Sequence, residues 1–165
     1  DGVTVDMGEP MLQNKEQVAT ADGALHGHLF DVCGTPVEGV FVCMGNPHLV
    51  LFVPDVEHLP IGQIGRRLES HPLFPQRVNI EFAEMKDADT VRMRVWERGS
   101  GVTQACGTGA CATAVTALLT QRAGHEVKVC MDGGELGIRW DKADNHIYMQ
   151  GPAVKVFEGT IEWND

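Results

Sequence analysis

Residues Trp96-Glu97-Arg98-Gly99-Ser100-Gly101-Val102-Thr103-Gln104-Ala105-Cys106-Gly107-Thr108-Gly109-Ala110-Cys111-Ala112 set out, in order, an acid–base pair, a glycine-rich loop and a cysteine. An uncharged run follows, so Cys106 stands where a helix begins. The first N–H groups of a helix have no partner inside it, and its dipole leaves partial positive charge there. Such a place holds a carboxylate or phosphate and lowers a thiol pKa toward neutrality. Cys106 is therefore a candidate general base beside a bound carboxylate. On residue type alone, burial as a small apolar side chain competes with that role on about even terms. Burial is the expected state of Cys33, Cys43, Cys111 and Cys130.

Other segments carry weaker signals. Gly45-Asn46-Pro47-His48 is either a plain turn or a rigid turn that aims His48 into a cleft. Gly107 to Ala112 fits the dinucleotide pattern G-x-G-x-x-A, with Asp132 after the next strand. Against that fingerprint, the preceding strand alternates with Arg92 and Arg94, whereas a central parallel strand is apolar throughout. The loop before Gly107 is also too long for the tight first turn. No Lys follows the glycines, which excludes a P-loop. His26 and His28 would share a strand face but lack further ligands at metal spacing, so a solvated face is expected.

The elements that position these residues are mostly strands. Alternation or β-rich runs predict them at Val3–Met7, Leu29–Val32, Val37–Met44, His48–Val53, Val78–Phe82, Val91–Val95, Val127–Met131, Leu136–Trp140, His146–Met149 and Val154–Trp163. Ile61, Ile64 and Leu68, between Pro60 and Pro72, predict one helix. Gly107–Gly124 predicts a second, apolar almost all round, which belongs at the centre of the domain. Asn79 and Glu81 alternate with apolar residues, as in a half-buried antiparallel strand. The expected fold is α+β: a curved, barrel-like antiparallel sheet wrapped around one central helix.

Composition narrows the function. A net charge of −10, from 13 basic and 23 acidic side chains, argues against nucleic acid and against an anionic membrane surface. Five cysteines, widely spaced and odd in number, read as reduced thiols of a cytoplasmic enzyme rather than a disulfide framework. No CxxC pair is present, which argues against structural zinc. The uncharged run Gly99–Gln121 is rich in Gly, Ala and Thr and reads as a buried helix rather than a membrane span. The start at Asp1-Gly2, without an initiator Met or signal segment, is expected of a chain that begins inside a longer protein or follows processing.

In their order and spacing, Gly45-Asn46-Pro47-His48, Arg77-Val78-Asn79-Ile80-Glu81-Phe82 and the long cysteine motif closely resemble diaminopimelate epimerase. Val3 to Pro10 and Gly151-Pro152-Ala153 extend the likeness over nearly the whole chain. The resemblance implies two pseudo-symmetric domains, each giving one cysteine. One thiolate removes the substrate α-proton while the opposite thiol delivers a proton to the other face, without pyridoxal phosphate or metal. Cys106 matches the catalytic cysteine of the C-terminal domain. His48 and Glu97 match residues that assist catalysis, and Asn46, Asn79, Glu97, Arg98, Gly107 and Thr108 match substrate-binding positions. Val102 departs from the pattern, which has Glu there; a loop effect is expected.

The implied activity is interconversion of LL- and meso-diaminopimelate for lysine and peptidoglycan synthesis, by an enzyme with no cofactor. Residues 1–165 would form its C-terminal domain. The expected partners are this small molecule, the N-terminal domain of the same protein, and a second copy in a homodimer. The last strand, about residues 160–163, is expected to cross to the N-terminal domain, and the chain alone to fold without epimerising. Two alternatives stand beside this one: a proline racemase or hydroxyproline epimerase of the same fold, and a binding module without turnover.

Overall fold

The computed structural model describes residues 2–164. In chain order the elements are β1 (Gly2–Asp6), β2 (Leu29–Val32), β3 (Thr35–Cys43), β4 (Pro47–Phe52), α1 (Ile61–Glu69), β5 (Asn79–Met85), β6 (Thr90–Glu97), β7 (Gly101–Thr103), α2 (Gly107–Leu119), β8 (Glu126–Met131), β9 (Gly134–Trp140) and β10 (Ile147–Pro152). Alternation locates the strands well: β6 buries Val91, Met93 and Val95 while Arg92 and Arg94 stay partly exposed. The short strand β7 lies in what the sequence reads as a loop, where it folds back on the end of β6. The tail, residues 153–164, forms neither helix nor strand and is exposed, so the strand expected at Val154–Trp163 is not formed within this chain. His26 and His28 precede β2 rather than sharing a strand; His26 meets Asp22 at 2.6 Å.

The strands join in one curved sheet of order β1-β10-β9-β8-β6-β5-β4-β3-β2, with β7 beside β6. The sheet is mixed: β4 pairs β5 in parallel, and β6 pairs β8 in parallel. Parallel neighbours need a crossover. In the first case α1 lies on that connection, and in the second α2 does. The sheet does not close, since β1 and β2 remain its two edges.

The two helices sit against opposite faces and divide the core. On one side α2 packs among Val42, Val50, Ala83, Val91, Met93, Val95, Val129, Ile138 and Ile147. On the other, Ile61, Ile64 and Leu68 of α1 pack with Phe41, Leu49, Leu51, Ile80 and Phe82. Every residue of α2 from Gly109 to Ala117 is buried, as expected of a helix without a charged face. This two-sided cover corrects the half-buried reading of β5: Asn79 and Glu81 lie beneath α2 and are 5% and 0% exposed.

Helix α2 ends at Leu119, earlier than the expected Gly124. Gln121 takes the left-handed conformation, φ 59°. Its N–H donates to the Leu118 carbonyl, and that of Arg122 to the Ala117 carbonyl. That pair of bonds is the Schellman arrangement, with Gln where Gly is usual.

Candidate active site

Cys106 is the N-cap of α2, with extended backbone (φ −147°, ψ 109°). Its Sγ accepts the Gly109 N–H at 3.3 Å and lies 3.6 Å from Thr108 Oγ1. Cysteine thus does here what Ser or Asp does at most helix starts, satisfying one orphan N–H. The N–H groups of Gly107 and Thr108, in the first turn, have no acceptor within the helix. Gly107 packs against β10, where an added Cβ would stand 3.2 Å from Met149 Sδ.

The parallel register of β4 and β5 brings the next polar groups under the same helix end. His48, on β4, is fully buried. Its Nδ1 meets Glu81 Oε1 of β5 at 2.7 Å. Its Nε2 lies 3.0 Å from Asn46 Oδ1 and 3.1 Å from Thr108 Oγ1. Asn46 Nδ2 also donates to Thr108 Oγ1, at 3.2 Å. The rigid Gly45-Asn46-Pro47-His48 turn therefore does aim His48 at the start of α2.

Asn79, Glu97 and Arg98 lie at the neighbouring ends of β5 and β6. Asn79 Nδ2 donates to the Pro47 carbonyl at 2.9 Å, and its Oδ1 accepts the Arg98 N–H at 2.8 Å. Asn79 thereby ties the β4 turn to the end of β6. Glu97 Oε1 accepts from Thr103 Oγ1 at 2.6 Å, across the β6–β7 hairpin. The Arg98 guanidinium donates to the Gln76 carbonyl at 3.1 Å, in an exposed contact. Of the residues singled out in the sequence, Cys106, Thr108, His48 and Asn46 form one hydrogen-bonded group at the N-terminus of α2, and Asn79 joins Arg98 to the β4 turn beside it.

Electrostatics run against the lowered thiol expected at a helix start. Burial, and then the charge of Glu81, pushes the Cys106 thiol up to about 11. The bonds from Thr108 and Gly109 act the other way and do not outweigh them. Burial likewise raises the Glu81 carboxyl, against the attraction of His48. Cys111, deeper in α2, is pushed up to about 12 by burial. Cys33, expected to be buried, is exposed at the β2–β3 turn with φ 52°. Among the described residues no disulfide is present at the five cysteines, and no group of three potential metal ligands occurs.

Glu81 is the residue that sequence reasoning passes over. Its alternation with Ile80 and Phe82 marks it as solvated. The signal that could find it is the helix without a charged face, which must cover one side of the sheet and so bury whatever polar residues lie there.

A solved probable proline racemase from Agrobacterium radiobacter superposes on 99% of the chain and 54% of its own, with TM-score 0.66 and 13% identity. A hydroxyproline epimerase from Agrobacterium vitis superposes on 92% of the chain and 49% of its own, with TM-score 0.60 and 15% identity. At such identities the likeness is one of fold: that of the racemase and epimerase domains. The sequence profile of diaminopimelate epimerase matches residues 40–156. A diaminopimelate epimerase from Phocaeicola vulgatus is 55% identical over 160 residues, which is 97% of this chain and 57% of that protein. The chain belongs to the diaminopimelate epimerase family, and it spans little more than half the length of this relative.

Proposed function

We propose that the chain supplies one face of a cofactor-independent active site that inverts the α-carbon of diaminopimelate. The observation that carries this reading is Cys106 at the N-cap of α2, hydrogen-bonded to Thr108 and backed by His48, in a member of this family. An amino-acid α-proton is weakly acidic, so the developing carbanion needs fixed positive poles around it. The first N–H groups of α2, at Gly107 and Thr108, hold the α-carboxylate. Arg98 pairs with a carboxylate through its planar fork. Asn46 and Asn79 complete the substrate contacts, and Glu97 and His48 assist proton movement at the thiol.

Inversion removes a proton from one face and returns one to the other, so two acid–base groups must stand on opposite sides in opposite protonation states. Cys106 is held as the thiol at neutral pH, its pKa raised to about 11, which makes it the donor in the resting state. The second thiol comes from the N-terminal domain, as the greater length of the relative supports. The exposed apolar side chains of the tail, Val154, Val156, Phe157, Ile161 and Trp163, are suited to cross to that domain, with the crossing centred on about residues 160–163. On this reading the chain is inactive alone, and its product enters lysine and peptidoglycan synthesis.

The test is α-proton exchange in D₂O. The chain combined with the N-terminal half is expected to exchange and invert LL-diaminopimelate, and to leave proline untouched. The chain alone is expected to do neither. Exchange of diaminopimelate by the chain alone would defeat the two-half reading, and preferential exchange of proline would move the substrate to the proline racemase class.

A further inference from the structure

We propose that Glu81 is a positioning residue which, through His48 and Thr108, shares a single proton with Cys106. The inference rests on the thiol reading of the site and adds to it the group that holds the thiol's proton.

The contacts make a continuous path. Cys106 Sγ lies 3.6 Å from Thr108 Oγ1. Thr108 Oγ1 lies 3.1 Å from His48 Nε2, and His48 Nδ1 lies 2.7 Å from Glu81 Oε1. An imidazole can accept at one ring nitrogen and release at the other. The step starts from thiol, Nδ1-protonated imidazole and carboxylate. The Cys106 S–H bond breaks as an O–H bond forms at Thr108. The original Thr108 O–H bond breaks as an N–H bond forms at His48 Nε2. The Nδ1–H bond breaks as an O–H bond forms at Glu81. It ends with thiolate, Nε2-protonated imidazole and carboxylic acid, with protons and charge conserved. In that end state Nε2–H donates to Asn46 Oδ1, 3.0 Å away.

Three features suit Glu81 to this role. It is fully buried, so its carboxylate is withdrawn from bulk solvent. Among the described residues its Oε2 has no hydrogen-bond partner, which leaves the charged form weakly stabilised and therefore basic. And Gly109 marks how closely thiol and carboxyl approach the same point of the helix. A Cβ there would stand 2.6 Å from Glu81 Oε1 and 3.1 Å from Cys106 Sγ. Two negative charges so placed disfavour each other, and one shared charge is the stable count. The titratable groups facing the pair are His48 from β4, Glu97 from β6 and Cys111 from α2.

The test follows iodoacetamide modification of Cys106 against pH, with the Cys106 peptide quantified by mass spectrometry. No turnover is needed. In the wild-type chain the rate is expected to rise in two steps separated by a pH-independent plateau, where the proton moves within the pair. In Glu81→Gln the plateau is expected to vanish, and the rate to climb about tenfold per pH unit up to one midpoint. A single step in the wild type overturns the proposal, whether or not the Glu81→Gln variant folds. A plateau retained in Glu81→Gln overturns it too. Failure of the assembled protein to exchange diaminopimelate would count against the epimerase reading and leave the proton pair standing.

Discussion

His48 and Glu81 are both fully buried, and their contact at 2.7 Å serves one carboxyl oxygen and one ring nitrogen. Removing His48 leaves the buried Glu81 carboxyl without its side-chain partner, and removing Glu81 leaves His48 Nδ1 without its partner. His48→Ala is therefore expected to destabilise the fold by about 3–5 kcal/mol in urea denaturation; a loss below about 1 kcal/mol would show that the pair is solvated or dispensable. The thiol makes a second expectation. Its pKa rises from the ordinary 9.0 to about 11 on folding, so the folded chain keeps a proton that the unfolded chain releases. That contribution is complete below pH 9.0 and lost as pH rises to about 11. Cys106→Ala should flatten part of the alkaline loss of melting temperature, with Cys111, raised to about 12, supplying another part. Cys106 and His48 stand out in the sequence because they sit beside glycine and proline turns, whereas Asn79 stands out only through the family resemblance. Glu81 does not stand out, because period-two alternation says which residues share a face and nothing about what covers it.

At the scale of elements, two local conflicts show where packing outweighs propensity. Gly65 of α1 lies against Trp96, and an added Cβ would come within 2.4 Å of its Cγ. Gly65→Ala, which favours helix in isolation, is expected to destabilise the chain by about 1–3 kcal/mol through overpacking; an unchanged or raised melting temperature would contradict that contact. Gln121 closes α2 in the left-handed conformation, which costs a residue with a Cβ roughly 1 kcal/mol. Gln121→Gly is expected to recover much of that, read as a higher denaturation midpoint. Strand positions are legible from alternation, and α1 from Ile61, Ile64 and Leu68. The end of α2 is not, because Gly124 is the customary stop, while Gln121 does the stopping here. Strand β7 escapes notice because Gly101-Val102-Thr103 is too short to show alternation.

For the whole molecule, central placement of α2 follows from its lack of charge, and a curved sheet around it follows in turn. The parallel pairs β4–β5 and β6–β8 are not legible, since pairing order depends on contacts distant in sequence. Among the described residues no helix is long and apolar enough to cross a membrane. The tail 153–164 forms no helix or strand, so removing it should leave the melting temperature of the isolated chain within about 2 °C, given that surface changes are worth at most about 0.5 kcal/mol. A large drop would mean that the tail packs on the domain.

Of all these, the role of Cys106 is the claim on which the rest depends. The direct measurement is α-proton exchange of LL-diaminopimelate in D₂O by the chain joined to its N-terminal half, compared with the same assembly carrying Cys106→Ser. Loss of exchange by about a hundredfold or more, with the melting temperature preserved, is the expected result, on the scale of losing a positioned acid–base group. Exchange at the wild-type rate in the Cys106→Ser assembly would show that the thiol does not move the proton.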